Sequence, residues 1–275
     1  MPELPEVETV RRTLAVHLRG RRILSTEIRD ARLRWPVDVA RVEGAVRDAG
    51  IAGLRRRAKY LQVDLSTGEV VLLHLGMSGR FRIGSGDEPL ALHDHVRFVL
   101  DDGRELRLND PRRFGSVDVY RRSDEASHPR LAHLGVEPLE DEFNAAHMMT
   151  LAGKTRRPIK NFIMDATKVV GVGNIYASEA LFVAGIHPKR AAGRISKERW
   201  QALVAAVKSV LEDAICNGGT TLRDFVDGEG TSGSYGGRLR AYGREGERCQ
   251  RIDCGTIRRT VMVGRSTYYC PRCQR

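Results

Sequence analysis

The sequence lacks the segments that insert a chain into a membrane or export it. No run of eighteen apolar residues occurs in its 275 residues. The opening MPELPEVETV is acidic and has neither the basic start nor the apolar core of a signal peptide. We therefore expect a cytoplasmic protein, long enough to form two domains that each bury a core.

Cysteine is scarce, and its distribution is uneven. Four of the five cysteines lie near the C-terminus, at Cys249, Cys254, Cys270 and Cys273. Disulfides are rare in cytoplasmic proteins, whereas two short cysteine pairs can meet as two knuckles around tetrahedral Zn²⁺. The pattern predicts one structural zinc ion.

Acidic residues are too few to balance the basic ones. Lys and Arg number 46 against 35 Asp and Glu, which gives a formal net charge of +11. Residues 238–275 contain ten Arg and no Lys against three acidic residues, so this short tail carries most of the excess. A tail of this kind is typical of a phosphate-binding element, and nucleic acid is the leading candidate partner.

The first half of the chain predicts an α+β domain. Apolar residues recur at helical spacing from Val7 to Leu18, and Gly20 follows as a stop. Short β-rich runs without intervening helices then extend to about residue 120, which favours an antiparallel sandwich or barrel. The predicted strands are 23–28, 61–65, 70–75, 81–83, 96–100 and 117–120.

The second half predicts helices and a small cysteine-containing module. We divide the chain into a catalytic β-sandwich domain (1–134), a linker (135–150), a helical domain (151–236) and a zinc finger (237–275). The clearest helix runs from an N-cap at Ser196 to Gly218. The segment 227–237 is rich in Gly and Ser and predicts a mobile loop.

The N-terminus itself offers a nucleophile. Removal of Met1 before a small residue would leave Pro2 with a free secondary amine, whose pKa of about 8 keeps part of it neutral near pH 7. Glu3 places a carboxyl group beside that amine, where it could move protons. The alternative interpretation is an ordinary start in which Glu3 and Glu6 are first-turn acids that favour the helix dipole.

Several motifs occur in one order along nearly the whole chain. They are MPELPEVETVRRTL, RRAKYL, HLGMSG, DPRRFG, VVGVGNIYASEALFVAGIHP, GGTTLRDF and the terminal cysteines. In this the sequence resembles the formamidopyrimidine-DNA glycosylases. The resemblance implies an N-terminal β-sandwich with its helix, a C-terminal helix-two-turns-helix domain and a β-hairpin zinc finger. DNA would lie between the two lobes of a monomer.

The resemblance also implies an activity and its residues. The enzyme would remove oxidised purines, formamidopyrimidines and 8-oxoguanine, and then cleave the abasic site by β- and δ-elimination. Pro2 would be the Schiff-base nucleophile, Glu3 the catalytic acid, and Lys59 and Arg265 further catalytic residues that reach the DNA near the lesion. The implied DNA-contacting residues are Met77, His93, Arg112, Phe114, Lys160, Asn174 and Tyr235.

Some of these assignments have plainer alternatives. Met77 and Phe114 would fill the gap left by a flipped base, but without the resemblance we would interpret both as core residues. His93 and His95 form a weak metal motif for which no third ligand is evident. The first cysteine pair has four intervening residues instead of the usual two, which leaves the geometry of that knuckle open.

Alternatives for the function remain as well. An endonuclease VIII-like enzyme for oxidised pyrimidines shares the fold, and a damage-binding protein without catalysis would need an altered N-terminus. Pro2 and Glu3 are intact, which argues against the latter. A dinucleotide site at Gly171 and Gly173 fails because Tyr176 occupies the third glycine position.

Overall fold

The computed structural model describes residues 2–220, 228–251 and 254–275. The chain divides into two compact units, residues 1–132 with 217–234 and residues 133–216 with 235–275. The motif GGTTLRDF lies mostly outside the described residues. Among the described residues, every helix is too short or too polar to cross a bilayer.

The first unit is an antiparallel β-sandwich with two helices. Its strand order is β5-β7-β6-β1-β2-β3-β4-β8. The helices are α1 (Leu4–Leu18) and α2 (Val39–Val46), and the strands are β1 (Arg22–Ile28), β2 (Ala49–Arg57), β3 (Tyr60–Leu65), β4 (Glu69–His74), β5 (Arg80–Ser85), β6 (Asp94–Leu100), β7 (Arg104–Asn109) and β8 (Ser116–Arg121). A 3-10 helix follows at Arg122–Ser127. The predicted α+β class with an N-terminal antiparallel sandwich is confirmed.

The sandwich closes because two four-stranded halves share one core. Within the described ranges, strand pairing joins these halves only between β1 and β2, at Arg22 with Gly50 and at Ile23 with Ala49. Val63 and Val71 from one half meet Phe98 and Leu106 from the other in a single buried cluster. The apolar face of α1 completes this core with Val7, Val10, Leu14 and Leu18, as its helical spacing predicts.

Two strands and one helix were not predicted, namely β2, β7 and α2. In β7 the reason is a buried ion pair. Arg107 is 1% exposed, and its Nε donates to Glu105 Oε2 at 2.9 Å, while its other nitrogens donate to backbone carbonyls of the β5–β6 loop. In a sequence pattern, charged residues predict an exposed position. Arg107 and Glu105 can be buried only because each has a partner of opposite charge or a hydrogen-bonding group nearby.

The second unit is helical and ends in a β-hairpin. It contains α3 (Ala145–Ala152), α4 (Ile159–Ile163), α5 (Asn174–Ala184), α6 (Lys197–Cys216), β9 (Arg258–Met262), β10 (Arg265–Tyr269) and 3-10 helices at Ala192–Arg194 and Tyr235–Arg238. The helix predicted from Ser196 is confirmed as α6. Two turns separate α4 from α5, and Gly171 in the second has φ +77°.

One prediction for this half needs correction. The segment 135–150 is not a bare linker, because α3 begins at Ala145 under an Asn144 cap and buries Met148. In the described part of 227–237, Ser234 N donates to Asn217 O at 2.9 Å, and the mobility of this segment stays a prediction. Gly233 allows this approach, because a Cβ there would lie 2.3 Å from the Gly218 carbonyl oxygen.

Candidate active site and metal centre

Pro2 and Glu3 lie at the head of α1, and both are buried. Glu3 N donates to Glu6 Oε2 at 2.7 Å, and the Glu3 side chain accepts from the backbone N–H of Glu6. This reciprocal capping box fixes the backbone of Glu3, which directly follows Pro2. The sequence therefore places a secondary amine, once Met1 is removed, on a rigid helix start.

Glu6 does more than its expected role as a first-turn acid. It is 2% exposed, and its Oε1 accepts from Thr220 N at 2.7 Å. Glu6 thereby joins the start of α1 to the residue at which the described chain stops before 221–227. Glutamate at the third position after Glu3 is a capping-box signal, but nothing local indicates its distant partner.

Lys59 occupies the tight turn between β2 and β3, which Arg57 and Tyr60 close as a strand pair. Its neighbour Ala58 has φ +54°, a left-handed conformation that costs a non-glycine residue free energy. The Ala58 carbonyl accepts from Arg56 Nη1 at 3.1 Å. A strained, anchored turn of this kind holds Lys59 at one end of the sandwich.

Glu8 ties this hairpin to α1. Its carboxylate receives Arg11 Nη2 at 2.7 Å, Arg12 Nε at 2.9 Å and Arg56 Nε at 3.3 Å. Burial alone would raise the pKa of Glu8, but the hydrogen bonds and charges of these three arginines lower it below its usual value. Glu8 is therefore ionised at neutral pH, and the hairpin carrying Lys59 is held against the helix that carries Pro2.

Met77 and Phe114 are exposed rather than buried in the core. Their exposed fractions are 43% and 40%, and the Arg112 guanidinium lies 4.7 Å from the Phe114 ring centroid. Gly76 brings the two loops together, because a Cβ on it would lie 2.2 Å from the Phe114 backbone carbon. The core interpretation of Met77 and Phe114 is wrong, since the fold presents both side chains outward on joined loops.

Asp110 organises the loop that carries Arg112 and Phe114. It is completely buried, and its carboxylate accepts from Ser78 Oγ and Gly115 N, both at 2.7 Å. Its N–H donates to the carbonyl of His93 at 3.0 Å, and its own carbonyl is 2.8 Å from His95 Nε2. Both histidines thus support the loop through hydrogen bonds, and His93 itself is half-buried.

His74 lies at the end of β4, between the Lys59 hairpin and the Met77 loop. Its Nδ1 accepts from Gly76 N at 2.9 Å, so the ring is the tautomer with a proton on Nε2. Burial, together with the positive charges of Lys59, Arg34 and Arg130, lowers the pKa of His74 to about 4. His74 is therefore neutral at neutral pH and can donate from Nε2.

In the second unit, Lys160 differs from its prediction as a DNA-contacting residue. It is 1% exposed, and its Nζ donates to Asn174 Oδ1 at 2.6 Å and to Thr267 Oγ1 at 2.7 Å. Ser266 O lies 3.3 Å away. The ammonium group directs its protons inward, so Lys160 holds α5 and the β9–β10 hairpin together. Asn174 is half-exposed at the first position of α5, where backbone N–H groups can receive a phosphate.

Tyr235 is also buried where exposure was expected. It is 4% exposed, its ring lies 5.9 Å from that of Tyr176, and burial raises its pKa. The residue begins a 3-10 helix and packs in the helical core. A tyrosine beside glycines and serines gives no local signal of this burial, which depends on Tyr176 from another helix.

Glu179 is a structural residue that the sequence analysis missed. It is 1% exposed on α5, and its carboxylate accepts the backbone N–H groups of Arg240, Ala241 and Tyr242. Burial raises its pKa although these hydrogen bonds act in the opposite direction. The only available signal is a carboxylate within an otherwise apolar helix.

The four terminal cysteines form a metal centre. Their sulfur atoms all lie within 4.8 Å of one another, and no other such group occurs within 2–220, 228–251 and 254–275. Cys249 Sγ is 3.7 Å from Cys273 Sγ, and Cys254 Sγ is 3.4 Å from Cys270 Sγ. Tetrahedral zinc with Zn–S bonds of about 2.3 Å needs sulfurs at about this separation. The four cysteines therefore fit one structural Zn²⁺.

Backbone hydrogen bonds favour the thiolate form of one of these cysteines, Cys270. Burial raises the pKa of Cys270, but backbone N–H groups of Cys273 and Arg272 bring it down to about 7. The longer first pair still reaches the second, because Cys249 N donates to Gly255 O at 2.8 Å. Residues 252–253 of the first knuckle lie outside the described part. Arg265 is exposed at the start of β10, beside the hairpin turn.

The comparisons agree with this arrangement in chain order. Residues 1–117 match the formamidopyrimidine-DNA glycosylase N-terminal domain, 134–226 its H2TH domain, and 246–275 the zinc finger found in FPG and IleRS. These matches define a DNA glycosylase with a helix-two-turns-helix domain and a zinc finger.

Whole-chain relatives identify the family. A formamidopyrimidine-DNA glycosylase of Alcanivorax borkumensis is 51% identical over 276 residues, and one of Thioalkalivibrio sulfidiphilus is 50% identical over 279, each covering 100% of both chains. A Lactococcus lactis enzyme variant in complex with Fapy-dG-containing DNA superposes with a TM-score of 0.92 at 30% identity over 100% of both chains. The same enzyme bound to abasic-site DNA gives 0.91 over 99%. This chain belongs to the formamidopyrimidine-DNA glycosylase family.

Proposed function

We propose that this chain excises oxidised purines from DNA and then cleaves the strand, with the Pro2 amine as nucleophile. The observation that carries the proposal is the buried start of α1, where Pro2 directly precedes the Glu3–Glu6 capping box. The family relatives support the reaction class, and the Fapy-dG in the Lactococcus lactis complex supports a purine substrate.

The chemistry follows from the amine. Pro2 N forms a bond to the sugar C1′, the glycosidic bond breaks, and the base leaves with a proton that Glu3 is placed to supply. The Pro2 N–H proton passes by way of Glu3 to the sugar ring oxygen O4′, and the C1′–O4′ bond then breaks. The resulting iminium has no N–H to lose, so it stays cationic and withdraws electrons. Elimination then releases the 3′ and afterwards the 5′ phosphate, which leaves a one-nucleotide gap.

The remaining groups position the DNA. Lys59 and Arg265 contact phosphates near the lesion, and Met77 and Phe114 take the place of the extruded base in the stack. Arg112 donates to the base left opposite. His93, at the edge of this loop, and Asn174 are further contacts, whereas Lys160 and Tyr235 act by supporting the hairpin and the helical core.

The enzyme acts as a cytoplasmic monomer with 8-oxoguanine among its substrates. A duplex bearing 8-oxoguanine and one bearing an oxidised pyrimidine separate this proposal from an endonuclease VIII-like specificity. Strand cleavage of the first duplex is expected to be faster, and preferential cleavage of the second would reverse the assignment.

Borohydride reduction tests the nucleophile, because it converts the iminium into a stable covalent enzyme–DNA adduct. We expect trapping with the native N-terminus and none when a short extension turns Pro2 into an internal amide. A tag at the C-terminus serves as the matched control. Undiminished trapping by the extended protein would move the nucleophile to another amine, with Lys59 tested first.

A further inference from the structure

Two arginines lie over the ring of Trp35 in the sandwich unit. The Arg34 guanidinium is 4.7 Å from the indole centroid, and that of Arg130 is 4.2 Å from it. Guanidinium groups are attracted to the face of an indole ring, which restrains their motion. Two such contacts on one half-buried tryptophan form a rigid cluster in a loop without regular secondary structure.

This cluster is attached to the exposed Phe114 loop. Arg34 N donates to the carbonyl of Gly115 at 3.1 Å, directly after Phe114. The positive charges of Arg34 and Arg130 also act on the nearby His74 ring, together with that of Lys59. Arg34 therefore lies on the same part of the sandwich as Lys59 and the Phe114 loop.

The charges in the cluster do not balance. Arg130 Nη1 is paired with Asp118 Oδ2 at 2.6 Å, and the same carboxylate is 3.3 Å from His128 Nε2. Arg34 is exposed and forms no ion pair with any carboxylate of the described ranges. Its guanidinium is thus oriented by Trp35 yet keeps its charge available to an anion.

We propose that Arg34 binds a backbone phosphate of the DNA beside the Phe114 loop, with Trp35 and Arg130 as positioning residues. A planar guanidinium can donate two parallel hydrogen bonds to one phosphate. The inference rests on the proposed function for its ligand, and it adds a further binding residue to that site.

Salt-dependent binding of an undamaged duplex tests the assignment, since one lost phosphate contact changes both affinity and its dependence on salt. Arg34→Ala is expected to weaken binding roughly 5-fold at 0.1 M salt and to lower the salt slope by about one. The affinity of Arg34→Lys should lie between that of Arg34→Ala and that of the wild type. Arg41→Ala, an exposed arginine on α2 of the same unit, is the matched control and should bind as the wild type does.

Trp35→Leu separates positioning from charge. It should weaken binding less than Arg34→Ala does and leave the salt slope unchanged, because Arg34 is still present. Each variant's melting temperature is measured first, and Arg34→Lys keeps the test valid if Arg34→Ala misfolds. Wild-type affinity and slope in both Arg34 variants would overturn the proposal, and wild-type affinity in Trp35→Leu would overturn the positioning role.

Different results would contradict the proposed function and the phosphate contact of Arg34. Binding to undamaged DNA needs no chemistry, so a wild-type enzyme that binds but cleaves no lesion would contradict the proposed function and leave the Arg34 comparison readable. Normal lesion cleavage together with unchanged binding by Arg34→Ala would contradict only the phosphate contact.

Discussion

The sandwich and the zinc finger hold their functional groups by different means. In the sandwich, a large apolar cluster supports the strands, and the outward-facing loops add little to it. At the finger, the buried cluster consists of four finger residues and Phe182 of α5, and two of the four, Cys249 and Cys270, are themselves metal ligands. A small module of this size cannot bury enough apolar surface to fold alone, so its stability depends on the metal and on contacts with α5.

Loss of a zinc ligand should give the largest effect, because metal binding supplies much of the folding free energy of such a module, about 10 kcal/mol or more in small zinc fingers. Cys270→Ser should reduce zinc from one ion per chain to none and abolish DNA binding. Hydrogen exchange should show the sandwich still protected.

Cys216→Ser is the matched control, since Cys216 is an exposed free thiol at the end of α6. It should keep its zinc and its DNA affinity. Full zinc content in Cys270→Ser, or none in the freshly purified wild type, would contradict the metal centre.

Lys160 offers a way to weaken the finger's attachment without removing zinc. Lys160→Met would leave Asn174 Oδ1 and Thr267 Oγ1 without their donor, which should cost the second unit about 3 kcal/mol. Lys197→Met, at an exposed site on α6, should cost little. Chemical denaturation followed by fluorescence of the buried Trp200 in a Trp35→Phe background reports this unit alone. Equal denaturation midpoints for Lys160→Met and Lys197→Met would show that Lys160 does not support the second unit.

Acid should weaken the sandwich through His74. The pKa of His74 in the folded protein is about 4, below its usual value near 6.5. The unfolded chain therefore binds a proton first, and stability falls as the pH drops from about 6.5 to 4. We expect a loss of about 2 kcal/mol at pH 4.5 relative to pH 7 from this group.

His74→Asn keeps an acceptor for Gly76 N and does not titrate in this range. Hydrogen exchange of sandwich peptides at both pH values should show a smaller acid loss in this variant than in the wild type. An identical loss in both proteins would assign the acid sensitivity to other groups.

The smallest stability effect is expected at the exposed loops. Phe114→Ala and Met77→Ala should each cost under about 1 kcal/mol, whereas Phe81→Ala in the core should cost about 3 to 5 kcal/mol. Single-turnover excision of 8-oxoguanine should nevertheless fall in the two loop variants, since the unstacking of the lesion is no longer offset. Arg112→Ala should weaken discrimination by the opposite base. A large loss of stability with normal excision would reject the stacking role.

Patterns local in the chain were predictable from the sequence. The helical spacing of apolar residues correctly predicted α1 and α6, because each helix buries one continuous apolar face. Four clustered cysteines predicted a metal site, because thiolates are zinc ligands. The strand β2 was not predicted because its arginines obscure the alternation of apolar and polar residues. The strand β7 was not predicted because Arg107 and Glu105 are charged yet buried, where they pair with each other inside the sandwich.

The sequence by itself determined the family motifs, the basic tail, the metal ligands and the nucleophile candidate at the N-terminus. Only the tertiary structure decided that Met77 and Phe114 face outward while Lys160 and Tyr235 are buried. It also joined Glu6 to Thr220 and Arg34 to Gly115. Exposure and pairing depend on residues far apart in the chain, and no local pattern records which distant group will satisfy a buried charge or leave a surface arginine available.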